Sequence, residues 1–366
     1  MQIDFHHGVT YVVSRLAGFE PEEADKIAHS AQYVDDATNG GLIKFDNGGL
    51  FSRISSAHKK LDYRNFRQLA NYQVWIPFHF LPGNDGLPAR EDPDGKFITK
   101  LICRPNSHVA QAMVTEAIRH HHKSYSLYRL GITMHVYADT WAHQGFAGVN
   151  HRVNEANDLV DENGETDSEL EHKLSKFFKK NFFERLAGDL IGDAFPLGHG
   201  AVLSNPDKPF LKWGYKNGLG EEIKRNNPRD FLEAAENMCM WLQRYRLGDP
   251  TAEVSGLPEG DRELIAQMLA DTKDNNGEVR HEKWLESIRE GKFSFGPQEV
   301  TYIPKGRGSW KYDALKTEKS TDTGKEEFPY NPSFLSSDWK LFHDALKAHR
   351  FYVIHELLPK YGICVA

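Results

Sequence analysis

The feature that most constrains this chain is a largely apolar run from Leu130 to Phe146 that contains three ionisable side chains at regular intervals. His135, Asp139 and His143 are each four residues apart, and residues four apart on a helix differ by only about 40° around its axis. They therefore form one stripe on a helix that we expect to be buried nearly all round. Buried imidazoles and a buried carboxylate are costly unless they are paired or bind a metal.

Two interpretations of this stripe are open. In the first, Asp139 holds the two histidines by hydrogen bonds inside a helical bundle. In the second, the three side chains bind a metal, because imidazole nitrogen and carboxylate oxygen suit divalent ions. The presence of a third member and the apolar surroundings favour the metal. We expect a divalent ion, with zinc as the first choice and iron or manganese as alternatives.

A metal site in a helical bundle needs ligands from several helices. Four other segments supply candidates, namely His6 near the amino terminus, the adjacent pair Asp35 and Asp36, His79 in an apolar stretch, and His199 between two glycines. Adjacent carboxylates at the end of a helix oppose its dipole, and a bound cation would offset that cost. The alternatives are that His6 is solvated and that His79 has a structural role.

Residues that typically begin or end helices occur repeatedly along the chain. Pro21, followed by two glutamates, predicts a helix that runs to about Ala37. Asn227–Pro228 predicts the start of another helix, and Gly248 is a natural end for it. Apolar residues in these segments are spaced by three and four, which is the helical period.

We therefore predict an all-α fold, a multi-helix bundle with long irregular loops. The segment Asn39–Phe51 is rich in glycine and asparagine and is interpreted as a loop, and a short β-hairpin is expected near residues 293–315. The whole chain, residues 1–366, is expected to be one helical metal-binding domain. Its core would span about 1–215, with 216–366 as a helical C-terminal extension packed on that core.

Composition narrows the partners and the compartment. The net charge is −7 and no basic block is present, so binding to duplex nucleic acid is not expected. The amino terminus lacks a signal-peptide pattern, and no window approaches the roughly 18 apolar residues of a membrane span. Cys103, Cys239 and Cys364 are far apart, which predicts a reducing compartment. We expect a cytoplasmic protein of unknown oligomeric state.

The segment Leu130–Gly131 followed by His135, Asp139 and His143 resembles the central signature of the superfamily of zinc-dependent phospholipases C and fungal single-strand nucleases. This resemblance implies an all-α protein with a cluster of two or three zinc ions. It also implies that the histidine and the aspartate of the signature are ligands, that the aspartate bridges two metals, and that a histidine a few residues onward binds another.

A narrower likeness is to an uncharacterised bacterial and fungal family of that superfamily. The residues that carry it are Asp4–Phe5–His6, Gln32–Tyr33–Val34–Asp35–Asp36, Gly198–His199 and Pro206–Asp207. The resemblance implies that His6 is the N-terminal ligand, that Asp35 or Asp36 is the aspartate ligand, and that His79 is the next histidine. Two departures concern the third metal, because the chain begins with Met1–Gln2 rather than a processed tryptophan, and Leu203 stands where an acid would follow His199.

We expect a metal-dependent hydrolase of phosphoester bonds in which a metal-activated water attacks phosphorus. Asp139 and His143 are the residues expected to take part in catalysis, and the substrate would be a small-molecule or lipid phosphoester. Two alternatives stay open. One is a di-iron or mixed-metal oxygenase of the HD-domain type, and the other is a structural metal site in a helical partner-binding protein. The sequence has no phosphate-binding loop and no nucleophile-elbow motif.

Overall fold

A computed structural model describes residues 1–57, 68–165, 202–319 and 324–365. The α-helices, labelled α1 to α11 in chain order, are Thr10–Leu16, Pro21–Asp36, Gln68–Phe78, Ile98–Leu101, His108–Arg119, Ser126–Ala142, Asn227–Leu247, Glu259–Asp271, Gly277–Arg289, Trp310–Leu315 and Asp338–Phe351. Two π-helical segments, Asp4–Val9 and Tyr352–Leu357, precede α1 and follow α11. Short 3-10 turns cover Asn84–Gly86, Arg152–Asn154, Asn205–Asp207, Pro332–Ser336 and Leu358–Tyr361.

The strands β1 to β6 are Gly41–Phe45, Leu50–Arg53, Ala156–Val160, Lys212–Asn217, Glu222–Asn226 and Glu327–Phe328. They form two three-stranded sheets with the orders β2-β1-β6 and β3-β4-β5. The pairs are antiparallel except for β1 with β6, which is parallel. The prediction of an all-α fold is therefore wrong. Over the described ranges the protein is a mixed structure, with 52% helix and 10% strand.

The hairpin formed by β1 and β2 lies in a segment that the sequence analysis predicts to be a loop. The expected loop Asn39–Phe51 contains β1 and the first residues of β2, and Gly48 with a φ of 83° allows the chain to reverse between them. The hairpin expected near 293–315 is absent. Residues 293–309, all of them described, contain no strand, and α10 begins at Trp310.

Two of the predicted helices are confirmed. Helix α2 begins at Pro21, and Glu20 with Glu23 forms a capping box in its first turn. Helix α7 ends at Gly248, which has a left-handed φ of 68° and caps the last turn. None of the helices in the described ranges has the length and apolar character needed to cross a membrane.

Helix α6 is the central element of the fold. Its residues are buried continuously from Tyr128 to Ala142. It packs against α2, α5, α7 and α11, so it is covered on every side by other helices. A helix buried in this way can carry polar side chains only where they find partners, which directs attention to its histidines and aspartate.

Candidate metal centre

Two residues of α6 meet the N-terminal π-helical segment in the interior of the protein. His6 stacks on His135, with the ring centroids 3.8 Å apart and the ring planes inclined by 22°. Asp139 lies one turn further along α6, and all three side chains are almost completely buried. Their candidate ligand atoms lie within 4.8 Å of one another, so the three side chains form a first possible metal-binding triad.

The two oxygens of Asp139 face different neighbours. Oδ1 accepts a hydrogen bond of 2.6 Å from the α-amino group of Met1 and lies 3.2 Å from His6 Nε2. Oδ2 lies 3.3 Å from His135 Nε2 and 3.5 Å from His79 Nδ1. Each oxygen of this carboxylate therefore lies near a histidine nitrogen that could bind a cation together with it.

A second triad adjoins the first. Asp35 at the end of α2 has Oδ1 3.8 Å from His79 Nδ1 and 4.0 Å from His135 Nε2. The ligand atoms of these three residues also lie within 4.8 Å of one another. The two triads share His135, and together they bring four separate segments of the chain to one place.

Backbone carbonyls orient two of the histidines. His79 Nε2 donates to the carbonyl of Ser56 at 2.9 Å, and His143 Nδ1 donates to the carbonyl of His79 at 2.7 Å. Since a carbonyl oxygen only accepts, each of these nitrogens carries a hydrogen. Of the opposite nitrogens, His79 Nδ1 lies 3.2 Å from His135 Nε2, and His143 Nε2 lies 3.7 Å from Asp207 Oδ1. Metal-binding histidines are commonly held by this kind of hydrogen bond.

The α-amino group of Met1 is a member of the cluster that the predicted ligand set omits. It lies 3.3 Å from Asp207 Oδ1 in addition to its hydrogen bond with Asp139. Burial alone would lower the pKa of this amine, but the two carboxylates outweigh burial and raise its pKa to about 11. The amine is therefore an ammonium that neutralises part of the buried negative charge.

The protonation states of Asp139 and His6 follow from the same balance between burial and neighbouring charges. Burial alone would raise the pKa of Asp139, but His143, the Met1 ammonium and the other nearby imidazoles hold it well below its usual value. Burial, the neighbouring His135 and the ammonium hold the pKa of His6 well below its usual value. The carboxylate is thus ionised and the His6 imidazole neutral, which are the states that ligate a cation.

The unpartnered atoms of the cluster test whether a metal fits. Nε2 of His6 and Oδ2 of Asp139 both face the first triad, and both are buried without a hydrogen-bond partner among the described residues. Buried polar atoms nearly always have a partner, so these two atoms require an explanation. A divalent ion held by imidazole nitrogen and carboxylate oxygen would supply it, and zinc, iron and manganese all accept this ligand set.

Two predicted ligands are not brought into the triads. Asp36 accepts a hydrogen bond of 2.7 Å from the hydroxyl of Tyr302 and one from Gln32, because the end of α2 directs it away from its neighbour Asp35. His199 lies outside the described residues. The predicted ligands that do meet are His6, Asp35, His79, His135, Asp139 and, at the edge, His143.

A second group of buried histidines lies on the other side of the N-terminal segment. His7 Nδ1 is 2.8 Å from His281 Nε2, and Tyr302 contacts both His7 and His29. In the sequence, His281 stands in a polar segment, and nothing there distinguishes it from a surface histidine. Its burial depends on the packing of α9 against the N-terminal segment, which no local pattern reveals.

The cluster opens to the surface through Asp35, whose side chain is 34% exposed. A depression of about 350 Å³ begins at this residue. Its lining residues are Met1, Gln2, Ile3, Gln32, Asp35, Asn275, Asn276, Gly277 and Glu278. A small molecule can therefore approach one edge of the second triad from solvent.

The fold and the site define a largely helical α/β protein with a buried histidine and aspartate cluster at the meeting point of its N-terminal segment, α2 and α6. The chain belongs to a family of unknown function, DUF6765, which it matches over residues 1–357. No curated protein and no solved structure matches the chain.

Proposed function

We propose that this protein is a metal-dependent hydrolase that acts on phosphoester bonds. The observation that carries the proposal is the pair of triads that share His135, with the two oxygens of Asp139 facing different donors. Two divalent ions would be held by the ligands that the triads contain, which are His6, Asp35, His79, His135 and Asp139. When bound, such ions lower the pKa of water and offset charge on phosphoryl oxygens.

The role of each residue in this hydrolase would follow from its position in the cluster. Asp139 supplies the buried negative charge, and the carbonyl-bonded His79 presents Nδ1 in a fixed orientation. His143, the second predicted catalytic residue, has its Nε2 3.7 Å from Asp207 Oδ1 at the edge of the cluster. Asp35 forms the boundary between the ligands and solvent, so the substrate would enter on its side.

The alternatives find less support. A purely structural metal site is normally closed by protein ligands, whereas this cluster adjoins a surface depression at Asp35. An oxygenase of the HD type needs a contiguous His-Asp pair at the metal. The pair His343–Asp344 lies on α11, where His343 packs against Trp339 and Phe342, in a different apolar cluster of the protein.

Metal content and hydrolysis measured on the same preparations test the proposal. The full-length protein would be analysed by mass spectrometry for zinc, iron and manganese and assayed with bis(4-nitrophenyl) phosphate. We expect bound metal and turnover in the wild type and in His122→Gln, whose histidine is exposed. His135→Gln should lose both, since this residue belongs to both triads.

Other outcomes would replace the proposal. A metal-free wild type that unfolds as a normal cooperative protein would refute it. Iron together with oxygen uptake would favour the oxygenase. Bound metal that raises the melting temperature without any phosphodiester turnover would favour a structural site.

A further inference from the structure

The depression at the edge of the metal centre is lined mostly by polar side chains. Carboxamides and carboxylates predominate, and Met1 and Ile3 are the apolar members of the lining. No lysine or arginine occurs among the described residues that line it. Such a surface offers little to an acyl chain and no side-chain cation to a second anionic group.

Gln32 carries an unused hydrogen-bond acceptor at this depression. The residue is only 6% exposed, and its Oε1 has no partner among the residues that the structure describes. Its Nε2 donates to Asp36 Oδ2 at 3.3 Å, so the amide is oriented with the oxygen as the remaining group. A buried carbonyl oxygen without a donor carries a desolvation cost that a ligand donor would remove.

The carboxamide oxygens of two neighbouring residues, Gln2 and Asn276, already accept hydrogen bonds. Gln2 Oε1 accepts from Arg280 Nη2 at 2.8 Å, and Asn276 Oδ1 accepts from the backbone N–H of Glu278 at 3.0 Å. The side-chain acceptors left for a ligand are Gln32 Oε1, Asn275 Oδ1 and the carboxylates of Asp35 and Glu278. The carboxamide N–H groups of Gln2, Asn275 and Asn276 also line the depression, but the two carboxylates make acceptors predominate. The lining therefore favours a ligand that carries hydrogen-bond donors.

We infer that this depression is a recognition subsite for a hydrogen-bond-donating group of the substrate, a hydroxylated or primary-ammonium group attached to the phosphoester. The inference rests on the proposed function. Because Asp35 belongs both to the second triad and to the depression, a phosphoester bound at the triad places its next few atoms against Gln32. The substrate class is thus a small polar phosphoester.

Three phosphate monoesters of matched size serve as probes in titration calorimetry with the metal-loaded full-length protein. Glycerol 1-phosphate and 2-aminoethyl phosphate carry donors, and propyl phosphate carries none. We expect one or both of the donor-bearing esters to bind about tenfold more tightly than propyl phosphate, as one or two net hydrogen bonds would give. The preferred ester distinguishes a hydroxyl ligand from an ammonium ligand.

Variants of Gln32 assign the selectivity to the subsite. Gln32→Met removes the acceptor at similar size and should reduce the preference to near unity. Gln111→Met, on α5, loses its amide bond to the carbonyl of Asn106 and should leave the preference as in the wild type. Thermal unfolding of each variant confirms that it is folded.

Two results overturn the inference, and they are distinguishable. Equal affinities for the three esters, or a preference that survives Gln32→Met, would refute the subsite and leave the phosphoester site intact. Failure of all three esters to bind the metal-loaded protein would refute the proposed function and the subsite with it.

Discussion

Gly131 of α6 lies against Ser30 of α2 so closely that a Cβ at Gly131 would be only 2.6 Å from the Ser30 Cβ, and closer still to the carbonyl oxygen of Ile27. The absence of a side chain therefore allows the two helices to approach at this point. Helix α2 carries Asp35 and helix α6 carries His135 just beyond the contact. The spacing of the second triad consequently depends on a glycine that belongs to neither triad.

Gly131→Ala should separate these helices. We expect a loss of about 1–3 kcal/mol in the free energy of unfolding, because the added methyl group meets backbone rather than a flexible side chain. Metal affinity should fall as well, since Asp35 moves relative to His135. Urea unfolding and metal titration measure the two effects. The control is Gly260→Ala on α8, where a Cβ meets open space and stability should hold or rise slightly. Equal behaviour of the two variants would contradict this account.

Asp139→Asn should remove metal and destabilise the metal-free protein. Asparagine keeps the size of the side chain but leaves the buried Met1 ammonium without its closest carboxylate. Removing one member of a buried ion pair costs about 3–5 kcal/mol. Metal analysis and denaturant unfolding check the two parts. Asp271→Asn, at the exposed end of α8, should change neither quantity. Full metal content in the Asp139 variant would exclude this residue as a ligand.

Arg280→Met should loosen the N-terminal segment. Arg280 is fully buried and donates to both oxygens of Asp4, at 2.5 and 3.1 Å. Its loss leaves a buried carboxylate unpaired, and we expect a destabilisation of about 3–5 kcal/mol with reduced metal content, because Asp4 begins the segment that carries His6.

The matched control for that variant is Arg289→Met on the same helix. Arg289 is 55% exposed and pairs with Glu299 at the surface, so its loss should change stability by less than about 0.5 kcal/mol. If Arg280→Met were equally mild, the pair with Asp4 would have no role in holding the segment.

Stability should decrease as the pH falls from about 6.5 to about 4.5. Burial lowers the pKa of His349 to about 3, although its Nε2 donates to the carbonyl of Pro77 at 3.0 Å. In this window the unfolded chain takes up a proton at His349 that the folded protein does not, which costs about 2 kcal/mol. Unfolding in urea across the window should give a flatter profile for His349→Gln. The exposed His355→Gln should follow the wild type, and an unchanged slope for His349→Gln would disprove the assignment.

Local patterns predicted the parts of the protein that local chemistry determines. Pro21 and Gly248 mark the ends of helices correctly because proline and glycine act on the backbone at their own positions. The four-residue spacing of His135, Asp139 and His143 predicted a shared helix face. The structure has them on α6 and its C-terminal cap, with Asp139 near both histidines.

The remaining parts depend on contacts between distant residues. The glycines near β1 and β2 are typical of loops, so the sequence did not indicate these strands. Strand β6 pairs with β1 through Phe45 and Phe328, and no local pattern predicts a pairing between such distant residues. The same holds for the cluster, where the α-amino group of Met1 meets Asp207 across the fold. Asp36 is a plausible ligand by sequence because it is adjacent to Asp35, and its contacts with Tyr302 and Gln32 give it a different role.

The π-helical segment Asp4–Val9 makes the candidate metal centre sensitive to the number of residues in that segment. The N–H of Thr10 reaches back five residues to the carbonyl of Phe5, one residue more than in an α-helix. His6 faces His135 and His7 faces His281 in this spacing. Deleting one residue from the segment would restore ordinary helical spacing and rotate the preceding residues by about 100° relative to α1. Among natural homologues, single-residue insertions and deletions here should therefore be rarer than substitutions.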